Sequence, residues 1–237
     1  MIEVLAQGGF VQDRRGQSSC VSDNGFCPDW IAGNLDRYWT PLVEHIVLVA
    51  VSVGLGFAIA FTLGLLAHRN RWLVTPLTGI TSAIYTVPSA AMFLLLLPVT
   101  GRGNLTAIVA LTAYTQVIIF RNVVNGLHGV PADIVDAAAG TGMTPNQRLV
   151  SVEIPLALPE ILAGLRIAAA TTVGLAALAF LAGAGGLGSK LSTATEVQFK
   201  SNVVVAGALV TLLAAVLDLL VLGLQRWLTP WQRAVAA

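Results

Sequence analysis

Few side chains in this sequence are of a type and spacing to do covalent chemistry. The three histidines, His45, His68 and His128, are dispersed, and each abuts a polar loop. They read as solvated groups near a membrane interface, without metal-ligand or general-base spacing. Cys20 and Cys27 have no base partner; seven residues apart, they either close a small disulfide loop, if that segment lies outside the cell, or remain two free thiols in a tail. The run Gly183-Ala184-Gly185-Gly186-Leu187-Gly188 lacks the lysine and the preceding strand of a phosphate-binding loop, and reads as a flexible loop at the membrane edge. Asp218 is the only acid well inside an apolar run. It is either a functional carboxylate of the membrane interior, or half of a structural pair with Arg226 about two turns further on, or a water-exposed group near the inner end of the helix. No catalytic residue, no metal site and no cofactor bound by this chain is expected.

What remains is the chemistry of contact, and it concentrates between Val130 and Gly164, a polar stretch among apolar ones. Pro131 and Asp133 open a first short helix, with the acid in the turn that the helix dipole favours. Thr144, Pro145 and Gln147 open a second with a capping-box spacing. Gly140 and Gly142 break the run between them, and Pro155 with Pro159 is expected to stop the second helix. Ile134, Val135, Ala138, Leu149, Val150 and Val152 give the pair an apolar face; Asp133, Asp136, Gln147 and Arg148 complement it, and the small Ala137, Ala138 and Ala139 admit the backbone of a partner.

Asp136-Ala137-Ala138, three residues, Gly142, nine residues, then Val152-Glu153-Ile154-Pro155 resembles the spaced E-A-A, G, I-x-L-P signature of ABC importer permeases. Asp136 stands where the signature has glutamate, one methylene shorter. Ile84-Tyr85-Thr86-Val87-Pro88-Ser89, Phe93-Leu94-Leu95-Leu96-Leu97-Pro98 and the glycine run at 183–188 look like the subgroup that imports glycine betaine, choline, carnitine and related osmoprotectants. The resemblance covers roughly residues 40 to 228. It implies an all-α, polytopic membrane protein with five transmembrane helices, the type I ABC importer transmembrane domain (MetI-like). It also implies a coupling helix that docks on a cytoplasmic ATP-binding subunit dimer, which uses ATP and Mg; Asp136, Ala137, Ala138, Gly142, Arg148 and Pro155 belong to that docking segment.

Composition agrees that the elements holding this segment lie in a bilayer. Hydrophobic residues make up 56% of the 237 and charged ones 11%, with mean hydropathy +0.79. Nucleic acid is not an expected partner, because the thirteen lysines and arginines are scattered and net charge is only +1. Five apolar runs, 42–67, 72–99, 105–120, 160–182 and 202–227, are long enough to serve as spans. His68, Arg69 and Arg71 form the tightest basic cluster touching a span, which places that loop in the cytoplasm, the N-terminus outside and the C-terminus inside. Residues 1–40 then form an extracytoplasmic segment, 41–228 the permease domain with a cytoplasmic coupling loop at 122–158, and 229–237 a cytoplasmic tail.

The second run is overlong and carries Tyr85, Thr86, Pro88, Ser89 and Met92; a proline there marks either a break where backbone lines a cavity or a packing kink. With Tyr114 and Gln116 of the third run these are the expected substrate pathway. All five tryptophans fall near interfaces, which leaves the pore without an indole cage for a quaternary ammonium. Tight recognition is then expected in a separate extracytoplasmic substrate-binding protein, with a second permease subunit, identical or not, completing the pore in the bacterial plasma (inner) membrane. The competing class is an ATP-independent secondary transporter or channel subunit, which would need ion sites that the spans, Asp218 apart, do not offer.

Overall fold

A computed structural model describes Cys20, residues 25–196 and residues 198–231; the N-terminal residues before Cys20 and the end of the C-terminal tail, Arg233 included, lie outside the described residues. Among the described residues four helices are long and apolar enough to cross a membrane, and a bent pair makes a fifth span if its two halves are counted as one. A short helix α1 (Pro28–Gly33) and a 3-10 turn (Leu35–Tyr38) lead into α2 (Trp39–Arg69), 31 residues long. Its buried stripe is small: Ser52, Gly56, Ala60, Gly64 and Ala67 recur at nearly every fourth position. That stripe lies on α5 (Asn104–His128), so closely that a Cβ on Gly56 would overlap Thr115 and one on Gly64 would overlap Val123. Close helix approach of this kind replaces the hydrophobic drive that lipid cannot supply.

The second span is broken. Helices α3 (Val74–Thr86) and α4 (Ser89–Thr100) meet at Val87-Pro88 with a bend of 99°. A helix would need an N–H that Pro88 lacks, and the carbonyl of Val87 accepts the hydroxyl of Tyr114 instead. The helix is thus interrupted at Pro88 rather than merely kinked.

Helix α5 is the hub, with buried residues from Thr106 to Leu127, and it continues eight residues past the expected end at Phe120. The polar stretch follows as α6 (Ala132–Gly140) and α7 (Pro145–Arg148), and then a π turn (Leu149–Glu153) runs directly into α8 (Ile154–Ala176). The expected stop at Pro155 and Pro159 therefore does not occur. The π turn widens the ladder, the N–H of Ile154 reaching Leu149 five residues back, and Pro155, which has no N–H to give, follows directly where the ladder returns to α-helical spacing. Pro159 continues within the helix, and its carbonyl accepts the Gln225 side-chain amide at 3.2 Å.

After a 3-10 turn (Ala179–Ala182) and a glycine loop come α9 (Leu187–Glu196) and α10 (Lys200–Leu228). The glycine loop is packed rather than free: Ala184 is 5% exposed and Leu187 is fully buried, and the Gly103 N–H donates to Ala182 at 2.8 Å. Helix α10 is the least covered span, with 11% of its window buried, so its apolar outer face is available to lipid or to another chain.

Candidate coupling segment and pathway

The polar segment folds as its start signals require. Thr144 accepts the Gln147 N–H while the Gln147 side chain accepts the Thr144 N–H at 2.8 Å, closing the capping box. Pro131 takes the cap position of α6, one place before the first turn. Gly142 sits at φ +86°, a left-handed conformation that lets the chain turn from α6 into α7.

Asp136 and Ala137 are exposed, and so are Ile134, Met143 and Val150, while Ala138 is buried and Leu149 packs into the core with Ala60, Ile119 and Phe120. One face of the segment is thus free and the other seated. Its seat is polar as well as apolar. His68 Nε2 lies 2.5 Å from Glu153 Oε2, and Arg69 donates to Asn146 Oδ1 at 2.7 Å. A cleft of about 760 Å³ runs behind α6, lined by His68, Arg71, His128, Asp136 and Glu153 among others. Arg148 is half-buried and lines a neighbouring cleft of about 360 Å³ with Arg69 and Asn146, and Pro155 begins α8 below it.

These positions correct the reading of His45 as solvated and of His68 and His128 as dispersed, while His128 is exposed and His68 partly so, as read. The rings of His68 and His128 are 5.8 Å apart in the cleft. His45 is fully buried, with Nε2 3.1 Å from the Val173 carbonyl. Sequence reasoning missed both because the histidines meet through helix packing, at separations of 60 and 128 residues. Among the described residues no group of three or more His, Cys, Asp or Glu could hold a metal ion.

The pathway candidates separate into two places. Tyr85 and Tyr114 meet edge to face at 5.8 Å beside the Val87-Pro88 break, with Thr86, Ser89 and Met92 flanking it on the broken span. Gln116, two residues beyond Tyr114 on α5, has different neighbours: its amide donates to the carbonyls of Gly56 at 3.3 Å and Thr112 at 3.0 Å. It lines an apolar cavity of about 440 Å³ with Leu55, Ile59, Thr81 and Ile84.

Asp218 pairs with Arg166 of α8 through two hydrogen bonds of 2.9 and 2.8 Å, and the partner suggested by sequence distance, Arg226, does not take that place. At the opposite end of the bundle the Cys20–Cys27 disulfide is closed. The Cys27 N–H donates to Ser201 Oγ at 2.7 Å, and Trp30 meets Phe199 edge to face at 4.8 Å.

Residues 50–234 match the family described as binding-protein-dependent transport system inner membrane component. The osmoprotectant import permease protein OsmW of Salmonella typhimurium is 42% identical over 193 residues, covering 79% of this chain and 89% of that protein. The choline transport system permease protein OpuBB of Bacillus subtilis is 36% identical over 188 residues, covering 79% and 86%. Among solved structures, a chain of the MetNI methionine ABC transporter in an inward-facing conformation superposes with a TM-score of 0.75 at 25% identity, covering 81% of this chain and 96% of that one.

Proposed function

The chain belongs to the binding-protein-dependent transport system inner membrane component family, and from that premise we propose that it imports an osmoprotectant such as glycine betaine, choline, carnitine or proline betaine. Family membership makes it a multi-span permease subunit of an ABC importer. The observation that carries the finer reading is the exposed face of residues 132–150 on a polar seat, combined with relatives named for osmoprotectant, choline and carnitine permeases.

In this reading the chain is non-catalytic. A cytoplasmic ATP-binding subunit dimer hydrolyses ATP and draws the α6–α7 segment with it, Asp136 meeting a basic side chain of that subunit. A second permease subunit completes the pore, and an extracytoplasmic binding protein selects the cargo. The N-terminus faces outward and the C-terminus inward, so the coupling segment is cytoplasmic and the disulfide lies on the oxidising side. Tyr85, Thr86, Pro88, Ser89, Met92 and Tyr114 form the part of the pathway beside the broken span; Gln116 lines it from the neighbouring cavity.

An amino-acid cargo is the second reading, favoured by the superposition on a methionine transporter chain. Purification of the chain with its co-expressed partners, followed by uptake measurements in liposomes, tests both. Retention of an ATPase and ATP-dependent uptake of glycine betaine or choline support the first. Uptake of an amino acid alone supports the second. A chain that never retains an ATPase and transports after ATP depletion is neither.

A further inference from the structure

We propose that α2 is a rigid link carrying displacement of the α6–α7 segment to the glycine loop at the opposite end of the bundle; this rests on the reading of the chain as an ATP-driven permease. Two consecutive residues grip its coupling end. His68 holds Glu153 of the π turn at 2.5 Å, and Arg69 holds Asn146 in the first turn of α7 at 2.7 Å. Glu153 is only 8% exposed, so loss of His68 leaves a buried carboxylate short of a partner.

From that grip α2 runs unbroken for 31 residues, about 46 Å at 1.5 Å per residue. Its one proline, Pro41, lies in the first turn, where it does not interrupt the ladder. The seam against α5, where Gly56 and Gly64 admit Thr115 and Val123, keeps the rod in lateral register.

Two consecutive residues also grip the far end. Glu44 Oε2 accepts the Gly186 N–H at 2.8 Å, and His45 Nε2 lies 3.1 Å from the Val173 carbonyl. Gly186 is followed at once by Leu187, which is fully buried with Tyr38, Val205 and Ala206. Displacement of Glu44 therefore acts on the start of α9 and on α10. The contacts at both ends are directional and polar, and they join segments 77 to 142 residues apart in sequence. Such contacts on a rigid element are what coupling between distant sites requires physically.

The test compares cargo moved per ATP hydrolysed by the complete complex in liposomes for His68→Ala, Glu44→Ala and the double variant. Each single variant is expected to lower that ratio by about tenfold, within the usual span of coupling between sites. The double variant is expected to be no worse than the poorer single one, because both act in one series link. His68→Gln and Glu44→Gln keep a donor and an acceptor and are expected to recover most of the ratio. Should His68→Ala fail to assemble, Arg69→Ala replaces it with the same expectations, since that contact is exposed. Losses that multiply in the double variant, or a single variant with the wild-type ratio, overturn the link. A wild-type complex that hydrolyses no ATP overturns the permease reading itself, whereas one that moves another cargo still supports the link if the ratios behave as stated.

Discussion

Arg166 grips Asp218 through two parallel hydrogen bonds, Nε to Oδ1 at 2.9 Å and Nη2 to Oδ2 at 2.8 Å, joining α8 to α10 across 52 residues of sequence. A two-pronged guanidinium–carboxylate pair is the strong, geometrically specific form of a charge-assisted hydrogen bond, and here the two side chains remain 28% and 35% exposed. Arg166→Gln is expected to lower the melting temperature of the purified protein, because it strands Asp218. The exchanged pair, Arg166→Asp with Asp218→Arg, is expected to recover part of that loss. An exchange that melts below both single variants would assign Asp218 a role other than pairing.

Asp136→Lys reverses the charge of an exposed side chain of α6 that also lines the cleft with His68, His128 and Glu153, and it leaves the buried Ala138 unchanged. Expression near the wild-type level is expected, with transport abolished and ATP hydrolysis uncoupled from it. Uptake assays beside ATPase assays check this, and wild-type coupling in the variant would refute docking through Asp136.

The turn between α6 and α7 gives a cleaner comparison of two glycines. Gly142 has φ +86° and Gly140 ends α6 with no such strain, and neither has a neighbour within 4 Å of a built Cβ. Gly142→Ala should therefore cost about 1 kcal/mol through backbone conformation alone. Gly140→Ala should cost nothing measurable. Thermal melting of the two variants, with transport measured alongside, separates the requirement for a turn from a requirement for space.

How much of this was legible in the sequence depends on whether a feature is local. The capping box at Thr144 and Gln147 and the break at Pro88 are written in a few consecutive residues; apolar run length locates the spans but not their ends, since α5 runs to His128 rather than 120 and α8 covers Ile154–Ala176 rather than 160–182. The continuation through Pro155 was not legible, because it depends on a π turn whose hydrogen bonds skip a residue, and no residue type encodes that. The neighbours of His45, His68 and Asp218 were hidden for another reason. Each is met by a residue of a helix far along the chain, and hydropathy fixes which segments are helices without fixing which of them touch. The glycine run at 183–188 looked mobile by composition, yet close packing at Ala184 and Leu187 and the Glu44–Gly186 contact hold it in place.

Cys20 and Cys27 are bonded in the structure, and Cys27 is anchored to α10 through Ser201. Mass spectrometry of the intact chain is expected to show a gain of two hydrogens on reduction. An unchanged mass would mean two free thiols in the isolated protein.

In the proposed function, the free energy of ATP hydrolysed by a separate subunit reaches this chain as a displacement of residues 132–150. Uptake of labelled glycine betaine or choline into liposomes holding the complete complex, with ATP supplied or withheld, tests it most directly. Uptake that requires ATP and disappears with Asp136→Lys is the expected result. Uptake that persists without ATP, or that Asp136→Lys leaves intact, would contradict it.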